Sequence, residues 1–186
     1  SKILLIVNYS EKARREGLLS LEDDLGSMDD VFLKKALELV VDGTDPEVVR
    51  NVMQIEIDNL EARHHHNRMW FEQWSTLAPG FALMGTLIGL VSIFANLSGG
   101  DMAVLGHGLA AAFLNTFYGT FIANVFALPI AGKLKAMSEE EVLMRQVLLE
   151  GTLSIQAGDN PRIVKDKLLG FLKPGERKEI EDEVKT

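Results

Sequence analysis

Three threonines, Thr86, Thr116 and Thr120, stand deep in parts of this chain that carry no Asp, Glu, Lys or Arg. From Trp74 through Gly100 there is no charged residue, and from Met102 through Gly132 again none. Thr86 lies in the first run; Asn115, Thr116, Thr120 and Asn124 lie in the second. Thr116 and Thr120 are four apart and share one face of a helix. A single membrane threonine ordinarily bonds its own helix carbonyl four back, or a neighbouring helix. A threonine face with Thr86 opposite supports a second reading, a wet or partner-facing seam.

Pro79 and Pro129 are the other chemically distinctive residues. Each lacks the N–H that would close a helical bond, to Ser75 and Val125 respectively. The freed carbonyl needs water, an ion or another donor. The two readings are an ordinary kink and a hinge or gate. Neither run contains Asp, Glu, Lys or Arg, whereas ion-coupled machines place an ionisable group within the membrane. If this chain helps to move ions, another chain must bring the carboxylate.

The elements that must position these residues follow from length. About 20 apolar residues cross a bilayer core of roughly 30 Å as a helix. Each run is long enough, so they form a transmembrane hairpin. Arg63 and Arg68 precede it, Lys133 and Lys135 follow it, and the connection near 97–105 carries only Asp101. The positive-inside rule puts both polar ends in the cytoplasm and the short loop in the periplasm. Gly85 and Gly89, with Ala110, Ala111, Ala112, Gly119 and Ala123, thin the spans. That favours close packing against other membrane helices.

The fold class expected is an all-α membrane protein, a transmembrane helical hairpin with a helical cytoplasmic lobe. Residues 1–7 read as the end of an upstream transmembrane helix, 8–73 as a cytoplasmic helical region, 74–132 as the hairpin, and 133–186 as a second cytoplasmic region ending in a charged tail. In the lobe, Val31 to Asp42 is an amphipathic helix. Gly43-Thr44-Asp45-Pro46 stops one helix and starts the next, with Thr44 or Asp45 as cap. Gly158-Asp159-Asn160-Pro161 repeats that logic, with Asn160 as cap. Ser20 to Asp23 has capping-box spacing, and Ser138-Glu139-Glu140-Glu141 reads as a helix start. Trp70 and Trp74 sit where indoles prefer the membrane interface.

Composition narrows function. The 186 residues are 47% hydrophobic and 25% charged, with a net charge of −8. An acidic chain is a poor match for nucleic acid; membrane lipid is the partner its runs require. The chain has no cysteine, which removes disulfide, thiolate-metal and redox chemistry. His64-His65-His66 do not converge on a metal, because consecutive helical residues point about 100° apart. His107 near the outer interface can titrate, and Asn96-Leu97-Ser98 is a triplet short enough to arise by chance. No nucleophile set, phosphate loop or paired catalytic carboxylates can be defended, so no enzyme activity, cofactor or metal is expected.

The longer motifs carry a resemblance. Arg14-Arg15-Glu16-Gly17-Leu18-Leu19-Ser20-Leu21-Glu22, Phe32 through Pro46, Gly85-Thr86-Leu87-Ile88-Gly89-Leu90, Thr116-Phe117-Tyr118-Gly119 and Ser154 through Pro161 resemble the MotA/PomA subunits of the bacterial flagellar stator, over nearly the whole chain. The family has four membrane helices, of which 74–132 would be the last two. The resemblance implies a homopentamer in the inner membrane, around a MotB/PomB-type partner whose transmembrane Asp binds the coupling ion, H+ or Na+. It implies torque on the rotor protein FliG. It carries rotor contact onto Arg14 and Glu22, with Arg15 sharing that role. It carries the functional prolines onto Pro79 and Pro129, and the ion path onto Thr86 and Thr116, with Thr120 on the same face. The alternatives are an ExbB/TolQ-type energiser of an envelope-spanning partner and a structural scaffold without ion flow.

Overall fold

The structure, a computed structural model, describes residues 2–96, 102–173, 175 and 177. Asp101, Leu97 and Ser98 of the Asn96-Leu97-Ser98 triplet, Pro174 and nearly all of the charged tail lie outside the described residues. The described elements are helical: α1 (Lys2–Glu16), a 3-10 turn (Leu18–Leu21), α2 (Glu22–Leu25), α3 (Val31–Val41), α4 (Pro46–Asn96), α5 (Met102–Phe121), a π segment (Ile122–Ala127), α6 (Leu128–Gln156) and α7 (Pro161–Leu169). They divide into two compact units, 1–61 with 139–186, and 62–138.

The first unit is built on apolar stripes at helical spacing. Phe32, Leu33, Ala36, Leu37 and Val40 form the inner face of α3. Val49, Met53 and Ile57, four apart along α4, lie against them in one core with Val147, Leu148 and Leu153 of α6 and Val164 and Leu168 of α7. Ile3 and Ile6 of α1 are buried in the same core. Each such side chain contributes roughly 1.5–3 kcal/mol when fully buried.

Two stop-and-restart turns frame this core. After α3, the Gly43 amide donates to Val40 and the Thr44 amide to Leu39, both at 3.1 Å. This Schellman closure needs a left-handed residue, supplied by Gly43 at φ 74°. After α6, Gly158 donates to Ile155 and Asp159 to Ser154 in the same pattern. Asp45 then caps α4 by accepting from Glu47 at 2.9 Å, and Asn160 caps α7 by accepting from Arg162 at 3.0 Å. Gln156 donates to the Thr44 carbonyl at 2.6 Å, tying the two turns together.

One expected cap and one expected start are absent. The Ser20 hydroxyl donates to the Gly17 carbonyl within the 3-10 turn, so it caps nothing. Ser138 lies inside α6. It is buried there and its hydroxyl sits 3.1 Å from His64 Nδ1. No Gly or Pro near Ser138 interrupts the helix, and the acids after it continue one already formed.

Asp30 is the strongest cap of the unit, accepting from the Phe32 and Leu33 amides at 3.0 and 3.1 Å and pairing with Lys2. Burial raises its carboxyl, but the Lys2 hydrogen bond and the two amides outweigh that and hold it below its ordinary range. Its contribution is therefore complete above about pH 4 and is lost as pH falls through the depressed value. Asp30→Ala should cost about 1 kcal/mol. Asp30→Asn should cost less, because it still caps. Thermal unfolding of the purified full-length protein between pH 3 and 7 checks both, and the gap between wild type and Asp30→Asn should close at the acid end.

The second unit differs in what it leaves uncovered. α4 and the α5–α6 run are each long and apolar enough to cross a membrane. Only 11% and 17% of their most apolar windows are buried within the chain. Core helices of soluble proteins are mostly buried, so these apolar faces are suited to lipid or to other membrane helices. Ile88, Val91, Phe94 and Phe113 are more than 60% exposed, and Trp70 and Trp74 are also exposed.

Candidate ion-path site

Small residues bring α4 and α5 together. Ala82 and Ile93 of α4 and Ala112 and Gly119 of α5 are the buried positions of the seam. A Cβ on Gly119 would stand 2.8 Å from the Ala78 carbonyl oxygen and overlap the Ala82 methyl. Only glycine permits this approach.

The close approach places the hydroxyls of Thr86 and Thr116 in hydrogen-bond contact, 2.7 Å apart. Thr86 Oγ1 also lies 2.9 Å from the Ala82 carbonyl oxygen and 3.0 Å from that of Ala112, while Thr116 Oγ1 lies 3.3 Å from the latter. Four oxygens thus cluster around two hydroxyl protons. Each hydroxyl donates once and accepts twice, so the protons cannot serve every contact at once. Lone pairs are left over, and the hydroxyls can exchange donor and acceptor roles. Such a cluster can relay a proton or ligate a small hard cation. Asn115 donates to the Ala82 carbonyl at 2.9 Å, the carbonyl that Thr86 also contacts.

Thr120 is not part of this cluster. It is exposed, and its hydroxyl bonds the Thr116 carbonyl four residues back. Asn124 likewise donates to the Thr120 carbonyl at 2.9 Å. Side chains that bond the preceding turn loosen a helix, and here they lead into the π segment Ile122–Ala127, where the Leu128 amide reaches Ala123. Pro129 is the second residue of α6, directly after that segment. Instead of a simple proline kink, the chain makes a stretch of wider helix, a feature common at functional sites. Pro79 lies within α4, which continues through it.

Asn115 stands among the polar residues of the second run without a role that the sequence assigns, and the carbonyls of Ala82 and Ala112 have none either. An amide adjacent to Thr116 was the available signal for the first. The carbonyls had none, because only the helix approach selects them.

In the first unit, Arg14 and Arg15 are exposed and line a recess of about 500 Å³ with Glu11, Asn160, Pro161 and Arg162. Glu22 is exposed at the first position of α2 and does not line it. In the second unit, His64 faces Ser138 while His65 and His66 are exposed.

Residues 25–147 match the MotA/TolQ/ExbB proton channel family. The chain is 45% identical over 184 residues to Motility protein A of Borreliella burgdorferi, covering 99% of this chain and 70% of that protein. Among solved structures it is similar to MotAB of C. jejuni, with a TM-score of 0.85 at 30% identity. It is also similar to the flagellar MotAB stator complex of Bacillus subtilis, with a TM-score of 0.81 at 38% identity. Each match covers 92% of this chain and 67% of the other.

Proposed function

Because this chain belongs to the MotA/TolQ/ExbB proton channel family, we propose that the oxygen cluster of Thr86, Thr116 and their two carbonyls is where a coupling ion passes. The chain is a stator subunit of the bacterial flagellar motor, a membrane protein that couples proton or sodium flow to torque. Its relatives are motility proteins and its structural neighbours are stator complexes, which favours this reading over an envelope energiser. The observation that carries the site is the 2.7 Å hydroxyl contact between two otherwise uncharged membrane helices.

The remaining assignments follow from the charge pattern. With no acid in the described apolar runs, the charge that the ion neutralises comes from a MotB-type partner, through a carboxylate in its membrane helix. Oxygens at the cluster replace part of the ion's hydration shell. Neutralising a buried carboxylate removes a large desolvation penalty, so each ion changes which packing of partner against subunit is favoured. A homopentamer around the partner turns that change into stepwise rotation. Pro79, together with Pro129 and the π segment before it, supplies backbone that can flex. The chain lies in the inner membrane with both polar ends cytoplasmic, and Arg14, Arg15 and Glu22 push on FliG.

Contacts that must form and break in each step suit exposed, screened charges. Arg14→Glu should therefore change stability by less than about 0.5 kcal/mol, as for exposed residues generally. It should nevertheless cut torque severely, and a charge reversal on the rotor should restore part of it. Tethered-cell torque checks this. Wild-type torque in Arg14→Glu, or failure of every rotor reversal to rescue, removes the rotor contact.

A further inference from the structure

A groove of about 640 Å³ opens between α4 and α5, at the end of the hairpin that the charge asymmetry puts outside. Ser92, Asn96, His107 and Asn115 line it; Gly85 makes room for the Asn115 amide, and Gly89, where a side chain would meet nothing within 4 Å, helps to leave the groove open. We infer that this groove is the outer vestibule through which water and the coupling cation reach Thr86 and Thr116, and that the charge on His107 sets cation access. The inference rests on the ion-path reading above.

Three observations carry it. Ser92, Asn96, His107 and Asn115 bring polar side chains from both helices to one recess, beside Ile93 and Val104, while Ile88, Phe94 and Phe113 stand exposed outside the lining. The inner end of the groove joins the cluster, because Asn115 lines the groove and bonds the same Ala82 carbonyl as Thr86. Finally, α4 and α5 bring no Asp, Glu, Lys or Arg to the lining, so among the described residues His107 is its one titratable group. A positive charge at this position repels an entering cation and admits an anion, and a neutral ring does neither.

The cysteine-free sequence makes this directly measurable. Single cysteines are placed in the full-length protein, assembled with its partner in right-side-out membrane vesicles. They are treated with membrane-impermeant cationic and anionic methanethiosulfonates. Ser92→Cys and Ala111→Cys should react from outside, and Ile88→Cys and Phe113→Cys should not. Both reagents attack the thiolate, so the ratio of their rates cancels the ionisation of the thiol. At Ser92→Cys the cationic-to-anionic ratio should fall several-fold once His107→Lys is added and rise several-fold once His107→Asp is added. No reaction at Ser92→Cys and Ala111→Cys would overturn the vestibule, and a ratio unmoved by His107→Lys and His107→Asp would overturn the control by charge at His107. Normal swimming in Thr116→Val would overturn the ion-path reading instead, whatever the labelling shows.

Discussion

Thr116→Val is expected to stop motor rotation while the protein still assembles. Valine keeps the shape of threonine and removes one oxygen and one exchangeable proton from the four-oxygen cluster. The structural penalty is small, since a side-chain hydrogen bond between membrane helices contributes about 0.6 kcal/mol. The transport penalty is larger. If the lost oxygen stabilised the passing ion by even about 1.4 kcal/mol, flux falls at least tenfold. Thr86→Val should behave alike, because Thr86 contacts both carbonyls and Thr116. Thr120→Val should be milder, since that hydroxyl bonds its own helix. Thr116→Ser, which keeps the oxygen, should retain torque. Motor torque is read beside the yield of intact complex. A swimming Thr116→Val, or a Thr120→Val as severe as it, contradicts the cluster.

Gly119→Val should instead destroy assembly. The space a side chain would need at Gly119 is occupied by the Ala78 carbonyl, 2.8 Å from a Cβ, and by the Ala82 methyl. Neither is the end of a flexible side chain, so one helix must move. Overpacking a filled interior costs about 1–3 kcal/mol per small addition, and valine's branched methyls add to the alanine case. Separating α4 from α5 also parts Thr86 from Thr116, so any complex that survives should be inactive. Gly132→Ala is the matched control, because a Cβ there meets nothing within 4 Å. The yield of complex in size-exclusion chromatography should fall steeply for Gly119→Val, fall partly for Gly119→Ala and hold for Gly132→Ala. Wild-type yield for Gly119→Val would contradict the close seam.

Much of this architecture was legible because local chemistry and global fold agree. Asp45-Pro46 and Asn160-Pro161 mark helix starts wherever they occur, since a cap acceptor and a fixed φ suit only that place. Long uncharged runs announce membrane helices for an equally general reason. Where local signals were ambiguous, packing decided. Ser20 and Ser138 each had a plausible capping spacing, yet one hydroxyl turned to a local carbonyl and the other lies buried inside a continuous helix. The site was half legible. Thr86 and Thr116 could be chosen by polarity in an apolar run. Separating them from Thr120 required knowing which face meets the other helix. That is set by Gly119, Ala82 and Ala112 rather than by the threonines themselves. The π segment before Pro129 was out of reach, because a proline reports a missing hydrogen bond and not how the helix absorbs it.

The central claim is that ions passing this subunit drive rotation. It is tested most directly by the speed of single motors powered only by the full-length protein and its MotB-type partner, with the proton and sodium gradients collapsed in turn. Speed should fall to zero with one gradient, return in proportion as that gradient is restored, and ignore the other. Rotation that persists when each gradient is removed in turn would contradict the account.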